Sequence, residues 1–353
     1  MKDRKIKLFL GAYVNFPNAQ NINCDNIARY IDKDKFEVHT MYSDKLPIDK
    51  EKYKALGVRL HRLIHHRFIW YWCKLFTMLF GNYDVYYLPK MEQADRHIAR
   101  LMRGRKTFVA SIEGVVGEQI RETDIAARSY FDQMDGVFSI SKCIQNSAEK
   151  IWDMKTPVLY LGADPPKDLC ERKENVRRII WVGSIIDRKR PDLMLEIAKA
   201  FPTLSITMIG DGDRISTIKE QISGNIIQNV ELTGRIPNEE VYSKLKTADL
   251  LLMTSEYEGL PKVIQEAAVC FVPSIYIGEH YTVDFIEDGV NGYKVLSLDE
   301  MKEKIRYLLD NPSEFQDMSK AANELIQPYL WPTLIKEYED YFIKIYAEKS
   351  ERV

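Results

Sequence analysis

Short apolar runs, each followed by a polar turn and an amphipathic segment, recur from Ile6 to Leu161 and begin again at Arg178. Apolar runs of this length, separated by helical patterns, are the strands of parallel sheets, because each crossover must cover a sheet face. The first series is Ile6–Leu10, Phe36–Met41, Val58–Leu60, Val85–Leu88, Thr107–Ser111, Gly136–Ser139 and Pro157–Leu161. The second is Arg178–Val182, Ser205–Ile209, Asn229–Thr233, Leu250–Thr254 and Ser274–Ile277. The alternation predicts an α/β chain of two doubly wound, Rossmann-like domains, with ligands at the carboxyl ends of the strands. At 353 residues the chain exceeds one ordinary core. The stretch Leu161-Gly-Ala-Asp-Pro-Pro166 reads as the hinge. The expected division is 1–164, 165–333 and a C-terminal helix in 334–353.

Charge separates the halves. Residues 1–164 carry a net +6 and residues 165–353 a net −8, within a chain of net −2. The basic excess concentrates in 57–106, which is net +7. Inside it lies His61–Phe80, HRLIHHRFIWYWCKLFTMLF, with Arg62, Arg67 and Lys74 among Phe68, Trp70, Tyr71, Trp72 and Phe76. Read as one helix, it suits an anionic membrane surface, with aromatics in the headgroup layer. It equally suits a core helix that buries its aromatics and leaves its basic residues in water. His61 and His65, one helical turn apart, lack a third ligand nearby, so no zinc site is expected.

The five cysteines are scattered and never in a C-x-x-C pair, which points to a reducing compartment. The N-terminus reads as a first strand, not a signal peptide, and no run is long enough to span a membrane. The expected location is cytoplasmic, with peripheral attachment to the membrane face through residues 61–80.

The densest candidate chemistry is LLLMTSEYEGLPKVIQE, residues 250–266. It reads as a strand, a polar turn, and a helix with Pro261 at its first position. Glu258 and Glu266 bracket free backbone N–H groups and the positive end of the helix dipole, where a diphosphate would sit. A carboxylate on each side suits hydroxyls, so the stretch has the polarity of a nucleotide-sugar; two solvated glutamates are the plain alternative. Arg188-Lys189-Arg190 follows a strand expected in the same sheet and would neutralise a diphosphate. Asp211-Gly-Asp213 at a strand end reads as turn chemistry, so no metal is expected. The loop Gly11–Asn23 has no G-x-G-x-x-G fingerprint; its amides, Asn15 among them, suit either turns or contacts to a ligand. Glu113 stands at a strand's carboxyl end, placed to meet a substrate or cap the helix expected near Val116.

These residues resemble the retaining glycosyltransferases of the GT-B fold. Glu258 and Glu266 form an E-x7-E element, and SEYEGLPKVIQEAAVCFVP is similar to the family 4 signature S-x-x-E-G-x-P-x-x-x-x-E-A. The resemblance covers most of residues 178–295 and reaches the first half only in layout. It implies two lobes facing a cleft, the last helix crossing back to the first lobe, and sugar transfer from a UDP- or GDP-sugar to a glycan or lipid-linked acceptor, as in bacterial surface polysaccharide or lipopolysaccharide synthesis.

The resemblance also implies residue roles. Lys189 grips the diphosphate, with Gly183, Ser184 and Arg188 beside it. Glu258 holds the sugar and Glu266 the ribose. The N–H groups of Gly259 and Leu260 meet the β-phosphate, and Gly234 and Arg235 lie at the base. Lys189, Glu258 and Glu113 are the catalytic candidates, and Asn15 and Glu113 the acceptor side. No metal, no cofactor and no nucleic-acid partner are implied. Two departures stand out: Ser184 where relatives often carry arginine, and Glu113 where many carry histidine. A nucleotide-sugar 2-epimerase of the same fold, or a non-catalytic nucleotide-sugar-binding partner, is the rival reading.

Overall fold

A computed structural model describes residues 4–351, apart from 17, 65, 67–68, 122–123, 167, 169, 225 and 279–282. The chain divides into two units, residues 1–161 with 331–353, and residues 162–330.

In the first unit the apolar runs become β1 (Ile6–Tyr13), β2 (Phe36–Ser43), β3 (Arg59–Leu63), β4 (Val85–Tyr87), β5 (Thr107–Ile112) and β6 (Gly136–Ser139). They form one parallel sheet in the order β3-β2-β1-β4-β5-β6. The crossovers are α1 (Ala19–Tyr30), α2 (Lys50–Ala55), α3 (Trp70–Phe80), α4 (Gln93–Leu101) and α5 (Ile125–Phe131), with α6 (Lys142–Trp152) after the last strand. Parallel strands need such covers, and the sheet is dry: Phe9, Tyr86, Tyr87 and Phe108 are at most 1% exposed.

The second unit repeats the plan with β7 (Arg178–Val182), β8 (Ser205–Ile209), β9 (Val230–Gly234), β10 (Leu250–Met253), β11 (Ser274–Ile277) and β12 (Gly292–Val295). Their order is β12-β11-β10-β7-β8-β9, the same winding as the first sheet. Helices α7 (Asp192–Ala200), α8 (Ile215–Gly224), α9 (Asn238–Thr247), α10 (Lys262–Val269), α11 (Leu298–Asp310) and α12 (Pro312–Ile326) cover it. Its core runs through Trp181, Met194, Ile206, Leu250, Ile275 and Phe315.

The last helix, α13 (Trp331–Glu351), belongs to the first unit. Its buried face carries Trp331, Tyr338 and Phe342. Tyr338 donates to the Tyr160 carbonyl at 2.9 Å, and Tyr341 to that of Val137 at 3.1 Å. Glu339 accepts from the Asp32 N–H at 2.9 Å and pairs with Lys35 at 2.8 Å. The boundaries therefore fall three residues before 164 and 333. Ala163 donates to the Tyr329 carbonyl inside the second unit, and Trp331 is already buried on the first.

Several expected elements differ. Residues 61–80 are not one helix: His61–Leu63 complete β3 and the helix starts at Trp70. His61 thus lies on a strand, against His39 at 2.9 Å, which removes the helical His61–His65 pairing; His65, Arg67 and Phe68 lie outside the described residues. Pro157–Leu161 contributes a single bridge, Ser139 to Val158, because Pro157 has no N–H to give a ladder. α1 begins at Ala19, inside the stretch read as the loop Gly11–Asn23, since Asn18 caps it by accepting from the Asn21 N–H at 2.9 Å. No helix starts near Val116, which instead bridges Ile120.

Candidate active site

In a doubly wound sheet the crevice for a ligand opens where the chain's direction of winding reverses. In the second unit that point lies between β7 and β10, which pair through Ile179–Leu250 and Ile180–Leu251. The loops that leave these two strands are the Gly183–Arg190 loop and the Thr254–Pro261 turn, the two segments singled out in the sequence.

They are bound to each other. Trp181 donates through its indole N–H to the Thr254 hydroxyl at 2.9 Å, and Thr254 donates to the Lys189 carbonyl at 2.6 Å. The Glu256 N–H reaches the Arg188 carbonyl at 3.0 Å. Side chains then converge. Lys189 Nζ pairs with Glu258 Oε1, while Arg188 lies 3.9 Å from Glu258 Oε2 and donates to the Tyr257 carbonyl at 2.7 Å. Glu258 is only 8% exposed, so its charge depends on these cations. Arg190 departs from the expected cationic trio. Its backbone is left-handed, with φ of 45°, and its guanidinium donates to the carbonyls of Thr254 and Ile277 at 2.6 and 2.9 Å. It ties the strand ends together, with its Nε and one terminal nitrogen already committed to backbone carbonyls.

Helix α10 begins at Lys262, one residue later than expected, with Pro261 as its N-cap. No side chain caps it, and the Ile264 N–H turns back to the Pro261 carbonyl at 3.1 Å, which leaves the N–H groups of Lys262 and Val263 at the helix start. Glu266 lies inside this helix, partly buried. Burial raises its carboxyl above the usual range, Lys262 pulls it down and Asp164 pushes it up.

A cavity of about 760 Å³ opens at the ends of β7, β8 and β9, lined by Gly183, Ser184, Gly210, Arg235, Asn238 and Val241. Lys189 does not line it; the lysine stem lies next to the lining residue Gly183, 3.8 Å from where a Cβ there would stand. Gly210 holds the cavity's shape with φ of +148°; a Cβ there would stand 1.8 Å from the Gly183 carbonyl oxygen. Gly234 accepts from the Gly210 N–H at 3.0 Å. Asp211 accepts from the N–H of the next residue, Gly212, at 2.8 Å, a contact local to the turn. Among the described residues no cluster of three or more His, Cys, Asp or Glu is arranged for a metal.

The first unit has its own crevice, about 410 Å³, lined by Gln20, Met91, Ser111, Glu113, Gln119 and Phe131. Glu113 follows β5, and Ser111 donates to its Oε1 at 2.7 Å. Its other oxygen, Oε2, is buried and accepts no hydrogen bond among the described residues. Burial pushes the carboxyl up to about 7, against the pull of Ser111, Asn23, Tyr87 and Lys90. Behind it Tyr87 meets the Ser111 hydroxyl at 2.8 Å and accepts from Asn23 at 3.1 Å.

Asn15 does not join Glu113. Its amide donates to the carbonyls of Ser43 and Leu46 at 2.8 and 2.9 Å and accepts from the Ser43 N–H at 2.8 Å, so it braces the β1 loop.

Sequence reasoning missed a buried charge cluster at this sheet's own switch point. Lys74 is fully buried, with its amine at 2.7 Å from both Glu92 and Asp95 and donating to the Gly11 carbonyl at 2.8 Å. Those carboxylates outweigh burial and raise the lysine, while burial raises Asp95 to about 6. Lys90 stands over the Tyr13 ring at 4.7 Å. The signal was topological: Lys90 and Glu92 follow β4, the strand beside β1 where the winding reverses.

Residues 170–325 match the family model described as "Glycosyl transferases group 1". An uncharacterized glycosyltransferase of Methanocaldococcus jannaschii, MJ1178, is 24% identical over 66% of each chain. The O-antigen biosynthesis glycosyltransferase WbnH of Escherichia coli is 26% identical over 54% of this chain and 55% of its own. The matches thus span between about half and two-thirds of these relatives' lengths. The crystal structure of Anabaena Alr3699/HepE in complex with UDP-glucose superposes with a TM-score of 0.75 at 16% identity, covering 97% of this chain and all of that one. The chain has the GT-B fold, and its residues 170–325 are similar to the glycosyl transferases of group 1.

Proposed function

We propose that this protein is a retaining glycosyltransferase that moves a sugar from a nucleoside-diphosphate sugar to a hydroxyl of a glycan or lipid-linked acceptor in surface polysaccharide synthesis. The observation that carries the reading is the meeting of Lys189, Arg188 and Glu258 at the uncapped start of α10, beside the cavity at the ends of β7–β9. Two cations and a helix N-terminus offer a diphosphate what a metal would otherwise supply, so turnover is expected to need no metal. Glu258 binds the sugar hydroxyls and Glu266 the ribose, with the base toward Gly234 and Arg235. The polysaccharide assignment draws support from WbnH, named for O-antigen biosynthesis, and the choice of a UDP-sugar from the UDP-glucose held by Alr3699/HepE.

In the reaction the acceptor oxygen forms a bond to the anomeric carbon as the bond from that carbon to the phosphate oxygen breaks. The acceptor proton passes to the departing phosphate oxygen, and the nucleoside diphosphate leaves. Transfer on the face the leaving group vacates retains the anomeric configuration. Charge builds on the diphosphate, where Lys189 and Arg188 stabilise it most in the transition state. Glu113 lines the crevice of the first unit and is assigned to the acceptor side.

A thermal-shift screen of UDP-, GDP- and ADP-sugars, followed by incubation with acceptor glycans in EDTA and proton NMR of the product, tests this. A shift with one nucleotide and a product with the donor's anomeric configuration support it. An inverted product overturns retention, and loss of turnover in EDTA overturns metal independence.

A further inference from the structure

The surface of the first unit carries an apolar stripe that its own fold does not cover. On α3, Trp72, Phe76 and Phe80 recur every fourth residue and are 52, 47 and 76% exposed. Their rings follow one another along the helix with planes about 30° apart, Trp72 to Phe76 at 5.6 Å and Phe76 to Phe80 at 5.9 Å. Ile69, just before the helix, extends the stripe and is 44% exposed. The opposite face of α3 is the one that packs inward, through Lys74 and Met78. Soluble surfaces scatter single apolar residues; a continuous aromatic row is a contact site.

The charge beside it has one sign. The turn after α4 lies against the end of α3, where Lys106 donates to Asn82 at 2.8 Å, two residues past Phe80. Arg100, Arg103 and Arg105 on and after α4 are exposed, and among the described residues none pairs with a carboxylate. The three acidic residues of 57–106 are turned inward. Asp95 is fully buried with Lys74, Glu92 pairs with the same amine, and Asp84 is bound by Arg4 at 2.7 Å. Folding therefore removes the negative charges from this face and leaves the arginines.

We propose that this face docks on an anionic lipid surface, with Ile69, Trp72, Phe76 and Phe80 in the headgroup layer and Arg100, Arg103 and Arg105 on the lipid phosphates. Tryptophan and phenylalanine favour that layer, and each arginine near a charged leaflet strengthens the attachment. Among the described residues no helix is long and apolar enough to cross a membrane, so the contact is one of lying on the surface. The docking does not depend on the transferase reading.

Flotation with vesicles of phosphatidylcholine mixed with phosphatidylglycerol, against vesicles of phosphatidylcholine alone, tests it without any activity. The protein is expected to float with the anionic vesicles only, and salt is expected to release it. Reversing the arginines (Arg100→Glu, Arg103→Glu, Arg105→Glu) should cut binding more than about tenfold. Trp72→Ser with Phe76→Ser and Phe80→Ser should abolish it with the melting temperature unchanged. Brominated lipid should quench the unmodified protein's tryptophan fluorescence, and Trp72→Phe should lose most of that quenching, a readout independent of the multiple variants' folding. Equal binding to neutral vesicles, binding untouched by both sets of substitutions, or a stripe-dependent dimer that ignores vesicles would each overturn the proposal.

Discussion

Lys189 and Glu258, 69 residues apart in the chain, form an ion pair in which the carboxylate is almost wholly shielded from water. The pair joins the loop after β7 to the turn after β10, the two strands that flank the switch point. A donor diphosphate would take the lysine from Glu258 and free the carboxylate for the sugar hydroxyls, so one event prepares both contacts. Lys189→Ala is expected to lower kcat by about 100-fold or more, the usual cost of losing one donor to developing charge. Steady-state turnover with the donor found in the nucleotide screen measures it; wild-type turnover would remove Lys189 from the site.

The same pair makes a stability prediction. Removing the lysine leaves Glu258 buried with Arg188 3.9 Å away, and an uncompensated buried charge costs more than the pair it came from. Lys189→Ala should therefore melt below the double variant Lys189→Ala, Glu258→Gln, although the double variant lacks more native interactions. Denaturant titration of both variants in a double-mutant cycle decides it; additive losses would mean that the charge is solvated after all.

Glu113 provides the pH dependence. Burial raises its folded carboxyl from 4.5 to about 7, so between those values the folded protein binds a proton that the unfolded chain does not. Its contribution to stability is complete below the unfolded carboxyl range and is lost as pH rises through about 7. Glu113→Gln should accordingly be more stable than the parent at pH 8, by roughly 3 kcal/mol at the outside, with the difference vanishing toward pH 4. Activity runs the other way. The ionised carboxylate is a stronger acceptor for the acceptor hydroxyl than the neutral acid, so kcat/KM should rise with pH through about 7 and lose that limb in Glu113→Gln. Melting and rate profiles over this range check both signs.

The winding of both sheets was legible because each apolar run is locally consistent with a strand buried on two faces, as Leu8–Leu10 and Leu250–Leu252 are. The motif around Glu258 and Lys189 was legible because turn chemistry and charge are local in sequence. What failed depended on tertiary partners. Lys74 looked like a solvated cation because its composition is basic and aromatic, yet Glu92 and Asp95 draw it into the core. Arg190 looked like its two neighbours, and only its left-handed backbone turns it toward carbonyls. Asn15 resembled a ligand contact until the end of β2 supplied its three partners. Helix starts at Ala19 and Trp70 were hidden for a related reason, since asparagines and aromatics are weak helix formers that packing overrides.

Gly210 tests the shape of the donor cavity. Its φ of +148° excludes a side chain, and a Cβ would strike the Gly183 carbonyl at 1.8 Å, forcing apart the loops after β7 and β8. Gly210→Ala should cost about 1–3 kcal/mol in backbone strain before any clash is relieved, and nucleoside-diphosphate affinity should fall with it. Gly289→Ala is the control. Its φ is +77° and nothing lies within 4 Å of the added carbon, so only the left-handed strain of about 1–2 kcal/mol remains. Calorimetric titration of UDP should show weakened binding for the first variant and the parent's affinity for the second.

Phe342 links the last helix to the chemistry of the first unit. Its ring is fully buried, 5.8 Å from that of Tyr87, whose hydroxyl holds Ser111, which in turn holds Glu113. Phe342→Ala should cost about 3–5 kcal/mol, the transfer of the ring plus the void it leaves. That void lies behind the Tyr87–Ser111–Glu113 chain. Loss of packing there should admit water, relieve the desolvation that raises Glu113, and bring its carboxyl below about 7. The rising limb of the kcat/KM profile should therefore move to lower pH, a shift that loss of stability alone would not produce. Urea unfolding measures the first effect, and the pH–rate profile of the folded variant measures the second. A destabilised variant with the limb still at the parent's position would place Phe342 in the core and nowhere in the control of Glu113.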